Sequence, residues 1–273
     1  MKNCSISSLV EGARLIVSTP SPEEKVALAY QTAELWFKRK LSIHRASLEK
    51  PMPDRPGRPA KPQLLAPRDM PKRAIGGTSG KLALLHSLAH IELNAIDLTW
   101  DLIGRFWREP LPRSYYDDWV QVGLEEAKHY SMLSKHLAGL GHKYGDLPAH
   151  DGLWQAAQST GKDMMGRLAI IPLVLEARGL DITPPMIEKA YKSGDAETAK
   201  ILEVIYRDEK GHVAYGAKWF RFMCDRHGQH PESTFQKLVR KHFKGPLKPP
   251  FNDRARSESG LTPGFYRPLI KLV

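Results

Sequence analysis

Two cysteines in 273 residues, Cys4 and Cys224, are too few for a disulfide framework or a thiolate metal cluster, which fits a reducing compartment. No stretch reaches the ~20 apolar residues that a bilayer span requires. The opening MKNCSISSLVEGARL lacks the continuous apolar run of a secretory leader, so the expected location is the cytoplasm. Alternating apolar and polar residues never run to a useful length and no hairpin signal is present, so the expected class is all-α. A Gly-rich phosphate loop, a nucleophile elbow and zinc-finger spacing are also missing, which sets aside the chemistries that depend on them.

What the chain has in excess is positive charge. Its net charge of +11 is unevenly placed. Lys38–Arg73 carries 11 basic and 3 acidic residues and Lys237–Lys271 carries 9 and 2, which leaves the rest of the chain mildly acidic. Two basic segments beside an acidic centre suit an anionic partner, with RNA as one candidate; ordinary solvated surface charge is the competing explanation.

Ser21, Pro22 and Glu24 form a helix-start signal, and a first helix is expected from about Pro22 to Leu41. Residues 50–73 hold Pro51, Pro53, Pro56, Pro59, Pro62, Pro67 and Pro71, closed by Gly76, Gly77 and Gly80. That run excludes helix and central strand and predicts an extended arm. Four long helices are expected at about Ser79–Trp107, Ser114–Leu140, Leu153–Arg178 and Asp195–His227. Short helices near Pro185–Tyr191 and Pro231–Phe243 and an irregular tail complete the reading. The expected organisation is one domain over 1–273: a helical extension (1–48), a Pro-rich basic arm (49–78), a four-helix bundle (79–227) and a basic C-terminal extension (228–273). Pro172 should kink the third helix, and Gly211 is expected to permit a close helix approach.

The inward faces of those helices carry residues foreign to an apolar core. Glu126 and His129 are three apart and project together, and Glu209 and His212 repeat the spacing. Glu92 and Glu176 each add one carboxylate between apolar neighbours. Each single Glu precedes its Glu-x-x-His by a similar interval, 34 residues in the first half and 33 in the second. Buried carboxylates are costly unless paired or bound to a cation. Four of them neutralise two divalent ions, and oxygen donors with two imidazoles suit iron, or else manganese. One Glu-x-x-His is weak evidence; the matched set argues strongly against four surface glutamates and two structural histidines.

These residues, over about 79–227, resemble the di-iron carboxylate branch of the ferritin-like superfamily. The segments Ala89-His90-Ile91-Glu92, Leu175-Glu176-Ala177-Arg178-Gly179-Leu180-Asp181 and Gly264-Phe265-Tyr266 look like an uncharacterised family of ferritin-like proteins related to di-iron tRNA hydroxylases. The resemblance implies a four-helix bundle with a long crossover, holding two iron ions. Glu92 and Glu176 would be terminal ligands, and Glu126 and Glu209 would bridge. It also implies that Asp208 supports His129 and that Glu125, longer by one methylene than the Asp common among relatives, supports His212.

His86 and His90 lie near Glu92 in sequence, but neither is expected to be a ligand. Tyr206 and Tyr215 flank the fourth-helix pair; core packing is expected of them in preference to a radical or electron-relay role. The expected activity is that of a dinuclear metal oxidoreductase, an O2-activating hydroxylase or monooxygenase drawing on an electron donor, with a modified tRNA nucleoside as a substrate class. The alternatives are ferritin- or rubrerythrin-like iron handling or peroxide removal, and a metal-binding module without catalysis.

Overall fold

The computed structural model describes residues 6–44, 50–71 and 77–270. Cys4, Arg73, Gly76 and Lys271 lie outside the described residues. The described chain is helical, with isolated bridges in place of strands. No helix in it is long and apolar enough to cross a membrane. Two compact units divide the chain, Met1–Trp154 and Gln155–Val273.

The first unit opens with α1 (Leu9–Ser18), an element the sequence reading did not assign. Its signal was present: the Ser8 side chain accepts from the Glu11 amide, the N-cap bond of a helix start. The next helix, α2 (Pro22–Phe37), begins where expected and stops four residues early, as Arg39 takes up a positive φ of 60°. After the Pro-rich stretch come α3 (Gly77–Arg105) and α4 (Arg113–Gly139), long helices joined by seven residues and packed along each other. They approach closely at Gly123, where an added Cβ would fall 2.7 Å from the Trp100 indole nitrogen. Both α1 and α2 pack against this hairpin.

A buried charge network fastens that packing. Lys25 is 1% exposed; its ammonium donates to the Ile16 carbonyl oxygen at 2.8 Å and to the Asp97 carboxylate. The other Asp97 oxygen accepts from Arg58 at 2.5 Å. The Pro-rich stretch is extended apart from one 3-10 turn at Pro67–Asp69, which the missing proline amide permits at a helix start, and it is tied down. Arg58 also donates to Asn94, Arg55 pairs with Asp151, and the Gly57 amide donates to the Val17 carbonyl oxygen. Two of the arm's arginines, Arg55 and Arg58, are thus paired with acids elsewhere in the unit.

The division between the units falls within α5 (Gly152–Ser159). The expected third helix starts within a residue of Leu153, but it is broken and runs on past Arg178. A turn at 160–163 interrupts it, and α6 (Met164–Ile170) starts under an Asp163 cap, whose side chain accepts from Gly166 N. A single π turn, Ile171–Glu176, follows and runs into α7 (Ala177–Lys192), which absorbs the short helix expected near Pro185. Pro172 has no amide to donate, and the wide turn accommodates it. The fourth long helix, α8 (Ala196–Arg226), matches expectation within a residue at each end. Its close approach is not at Gly211, around which a Cβ would meet nothing, but at Gly216, where it would fall 2.5 Å from Pro172 Cβ. The short helix expected near Pro231–Phe243 is α9 (Pro231–His242), and the tail beyond it, expected to be irregular, also holds α10 (Asp253–Glu258) and α11 (Pro263–Tyr266).

Candidate metal centre

In the first unit, α3 and α4 bring three of the expected residues together. Glu126 and His129 are fully buried, and Glu92 is 3% exposed. The Nδ1 atom of His129 lies 3.2 Å from Glu92 Oε2 and 3.5 Å from Glu126 Oε2. Helix periodicity alone places them: Tyr115, Trp119, Val122, Glu126 and His129 recur at intervals of three and four on one buried face of α4. Burial pushes the Glu92 carboxyl well above the ordinary carboxylate range, the Glu126 charge adds to this, and the bond to His129 opposes it. The other buried acids of α3 differ in kind. Asp97 is paired with Lys25 and Arg58, and Asp101 with Arg105. Glu92 and Glu126 face each other across an imidazole.

The second unit repeats the arrangement on α7 and α8. Glu176 closes the π turn, half-buried, while Glu209 and His212 are buried on α8. His212 again presents Nδ1, 3.6 Å from Glu209 Oε2, close to the 3.5 Å of the first triad. Gly179 lies alongside: a Cβ there would stand 3.9 Å from Glu209 Cγ.

Within each triad, one donor atom from every residue lies within 4.8 Å of the others. Two carboxylates and one imidazole, withdrawn from water, are a hard donor set that can hold a divalent cation, and the cation would offset the mutual repulsion and desolvation of the acids.

The remaining candidates fall around these triads. Glu125 accepts from Gln121 on its own helix at 2.8 Å. Asp208, whose side chain is 8% exposed, accepts from Arg207 at 3.1 Å. The Tyr206 hydroxyl accepts from Asn252 at 3.2 Å, and its ring carries the Lys210 ammonium 4.9 Å from the centroid. Tyr215 is half-buried. His86 and His90 serve the loop after α4. His86 Nε2 accepts from the Gly145 amide, and the two His90 nitrogens meet the Tyr144 hydroxyl and the His150 carbonyl oxygen. Burial pushes His90 down to about 4, so it is neutral near pH 7. Sequence reasoning missed the Lys25–Asp97–Arg58 network, because nothing in residue spacing pairs groups 72 and 39 positions apart.

Comparison with known proteins adds kinship. A family model described as "Protein of unknown function (DUF455)" matches residues 18–267. A Haemophilus influenzae protein named "Uncharacterized protein" is 41% identical over 213 residues, covering 75% of this chain and 73% of its own length. No solved structure matches the chain. On the extent of the family match and the identity to this relative, the chain belongs to the DUF455 family.

Proposed function

We propose that the two triads together form a dinuclear metal centre, with iron as the metal, and that the protein is an O2-activating oxidoreductase of the hydroxylase class. The observation that carries this reading is the repetition of one triad in two places. Each has a Glu-x-x-His pair on a long helix, a Glu from the helix packed against it, and an Nδ1-to-carboxylate separation of 3.5 or 3.6 Å. A chance buried acid does not recur with the same partner, the same spacing and the same ring nitrogen. Glu92, Glu126 and His129 would hold one ion, and Glu176, Glu209 and His212 the other. The matched intervals in sequence, and the resemblance to di-iron carboxylate proteins, support pairing the two hairpins as a four-helix bundle around both ions. In that arrangement Asp208 and Glu125 would steady the histidine of the opposite half.

When bound, such a metal pair supplies redox chemistry toward O2. The protein's own part is to exclude water from the donors and fix their geometry. The substrate stays at the level of class. A tRNA nucleoside draws its support from the resemblance to di-iron tRNA hydroxylases and from net charge, and Arg55, Arg58 and Arg256 are committed to internal ion pairs. The reaction class is tested by loading the protein with Fe2+ under anaerobic conditions, then admitting O2 together with a one-electron donor. Expected is O2 consumption that continues only while donor remains and is lost in Glu126→Ala. Iron oxidation that needs no donor and deposits many ions per chain would replace this reading with storage.

A further inference from the structure

The stretch Leu175–Asp181 carries one triad member, Glu176, and three conspicuous neighbours, Arg178, Gly179 and Asp181. The structure gives Arg178 and Asp181 a common task. Arg178 donates to the carbonyl oxygens of Lys248 and Pro250, both at 2.9 Å. Asp181 is buried and accepts from both Nε and Nη2 of Arg256, at 2.8 and 2.7 Å, and from the Asn252 amide at 2.9 Å. Asn252 in turn donates through its side chain to the Leu180 carbonyl oxygen and to the Tyr206 hydroxyl. The closing Gly264-Phe265-Tyr266 completes the set. The Tyr266 ring lies under the Arg256 guanidinium, 4.7 Å to the centroid, and its hydroxyl donates to Asp253.

The bonds of Arg178, Asp181 and Asn252 end on the two helical turns that bear the second triad. Asp181 and Leu180 are about one turn beyond Glu176, and Tyr206 is one turn before Glu209. Gly179, between Arg178 and Leu180, lies beside the Glu209 side chain, where a Cβ would make an ordinary van der Waals contact. The π turn makes such outside support useful. It breaks the regular hydrogen-bond ladder just ahead of Glu176, so local helix geometry alone holds that side chain less firmly.

We infer that the C-terminal segment 248–256 is a positioning element of the second triad, in which Asp181, Asn252 and Arg256 fix the turns that carry Glu176 and Glu209. The inference rests on the metal reading proposed above. A bidentate, buried Arg–carboxylate pair defines direction as well as attraction. Asn252 bridges both helices, to Leu180 on α7 and Tyr206 on α8, so it sets their separation at the triad.

The test is a Co2+ titration of the metal-free, full-length protein, followed by absorbance, with Glu209→Ala identifying the equivalent that belongs to the second triad. In Asn252→Ala and Arg256→Lys, that equivalent is expected to bind about tenfold more weakly, the range in which outer supports of metal ligands act. The other equivalent should keep its wild-type affinity. Asn252→Ala removes few bonds, so it carries the test if Arg256→Lys fails to fold. Unchanged affinity for both equivalents would overturn the inference. So would equal weakening of both together with a lower unfolding temperature of the metal-free protein, which is the signature of a merely structural role. A wild-type chain that binds no Co2+ contradicts the metal reading itself, and the positioning inference falls with it.

Discussion

At the scale of single residues, the most specific statements concern space and charge around the triads. Gly123→Ala would press a methyl into the Trp100 indole, with contacts of 2.7 and 2.8 Å. It is expected to destabilise the protein by about 1–3 kcal/mol, read by chemical denaturation. Gly211→Ala on α8 meets nothing within 4 Å. It should stabilise the protein by about 1 kcal/mol, since Ala is the better helix former. A loss of stability there would show that the open space around Gly211 is wrongly assigned. The opposite signs matter because sequence alone treats these two helical glycines alike; only the neighbouring indole separates them.

At the scale of elements, buried charge decides how α1, α2 and the Pro-rich stretch attach to α3. Removing the carboxylate in Asp97→Ala leaves Lys25 buried without its partner and releases Arg58. The expected cost is about 3–5 kcal/mol, measured as a drop in unfolding free energy. The link between α6 and α9 responds to acid. Burial raises the Asp163 carboxyl, but the Gly166 amide, His242 and Lys241 outweigh it, and the net shift is downward. A folded pKa below the unfolded one means that the stabilisation is present above the unfolded value and lost as pH falls through the folded one. Acid titrations of stability should therefore show a weaker decline below about pH 4 in Asp163→Asn than in wild type. Identical acid limbs would contradict the assignment.

The elements also show what the sequence made legible. Helices α3, α4 and α8 were readable to within two residues, because long stripes of apolar residues at three- and four-residue spacing leave no other period. The same stripes exposed Glu92, Glu126, His129, Glu209 and His212, since a polar residue on an apolar face is conspicuous. Around Glu176 the helix bounds and the turn type differ from expectation. The Asp163 cap restarts the helix and the π turn at Pro172 widens one of its turns, local devices that a 3.6-residue period does not anticipate. Helix α1 went unassigned because its Ser8–Glu11 start signal is short. The tie-down of the Pro-rich stretch depends on partners far along the chain, which spacing does not reveal.

At the scale of the whole molecule, the proposed metal centre couples stability to metal binding. Two sets of buried carboxylates and imidazoles are costly without a cation, and an ion that binds only the folded chain adds to its stability. Adding Fe2+ or Mn2+ to metal-free protein should raise the unfolding temperature, and Glu126→Ala should abolish most of that rise. The most direct test of the central claim is metal content per folded chain, by elemental analysis of purified wild type, Glu126→Ala and Glu209→Ala. About two ions are expected in the wild type and fewer in each folded variant. A folded wild-type chain that retains no metal after iron or manganese loading, or folded variants that hold as much as wild type, would contradict that claim.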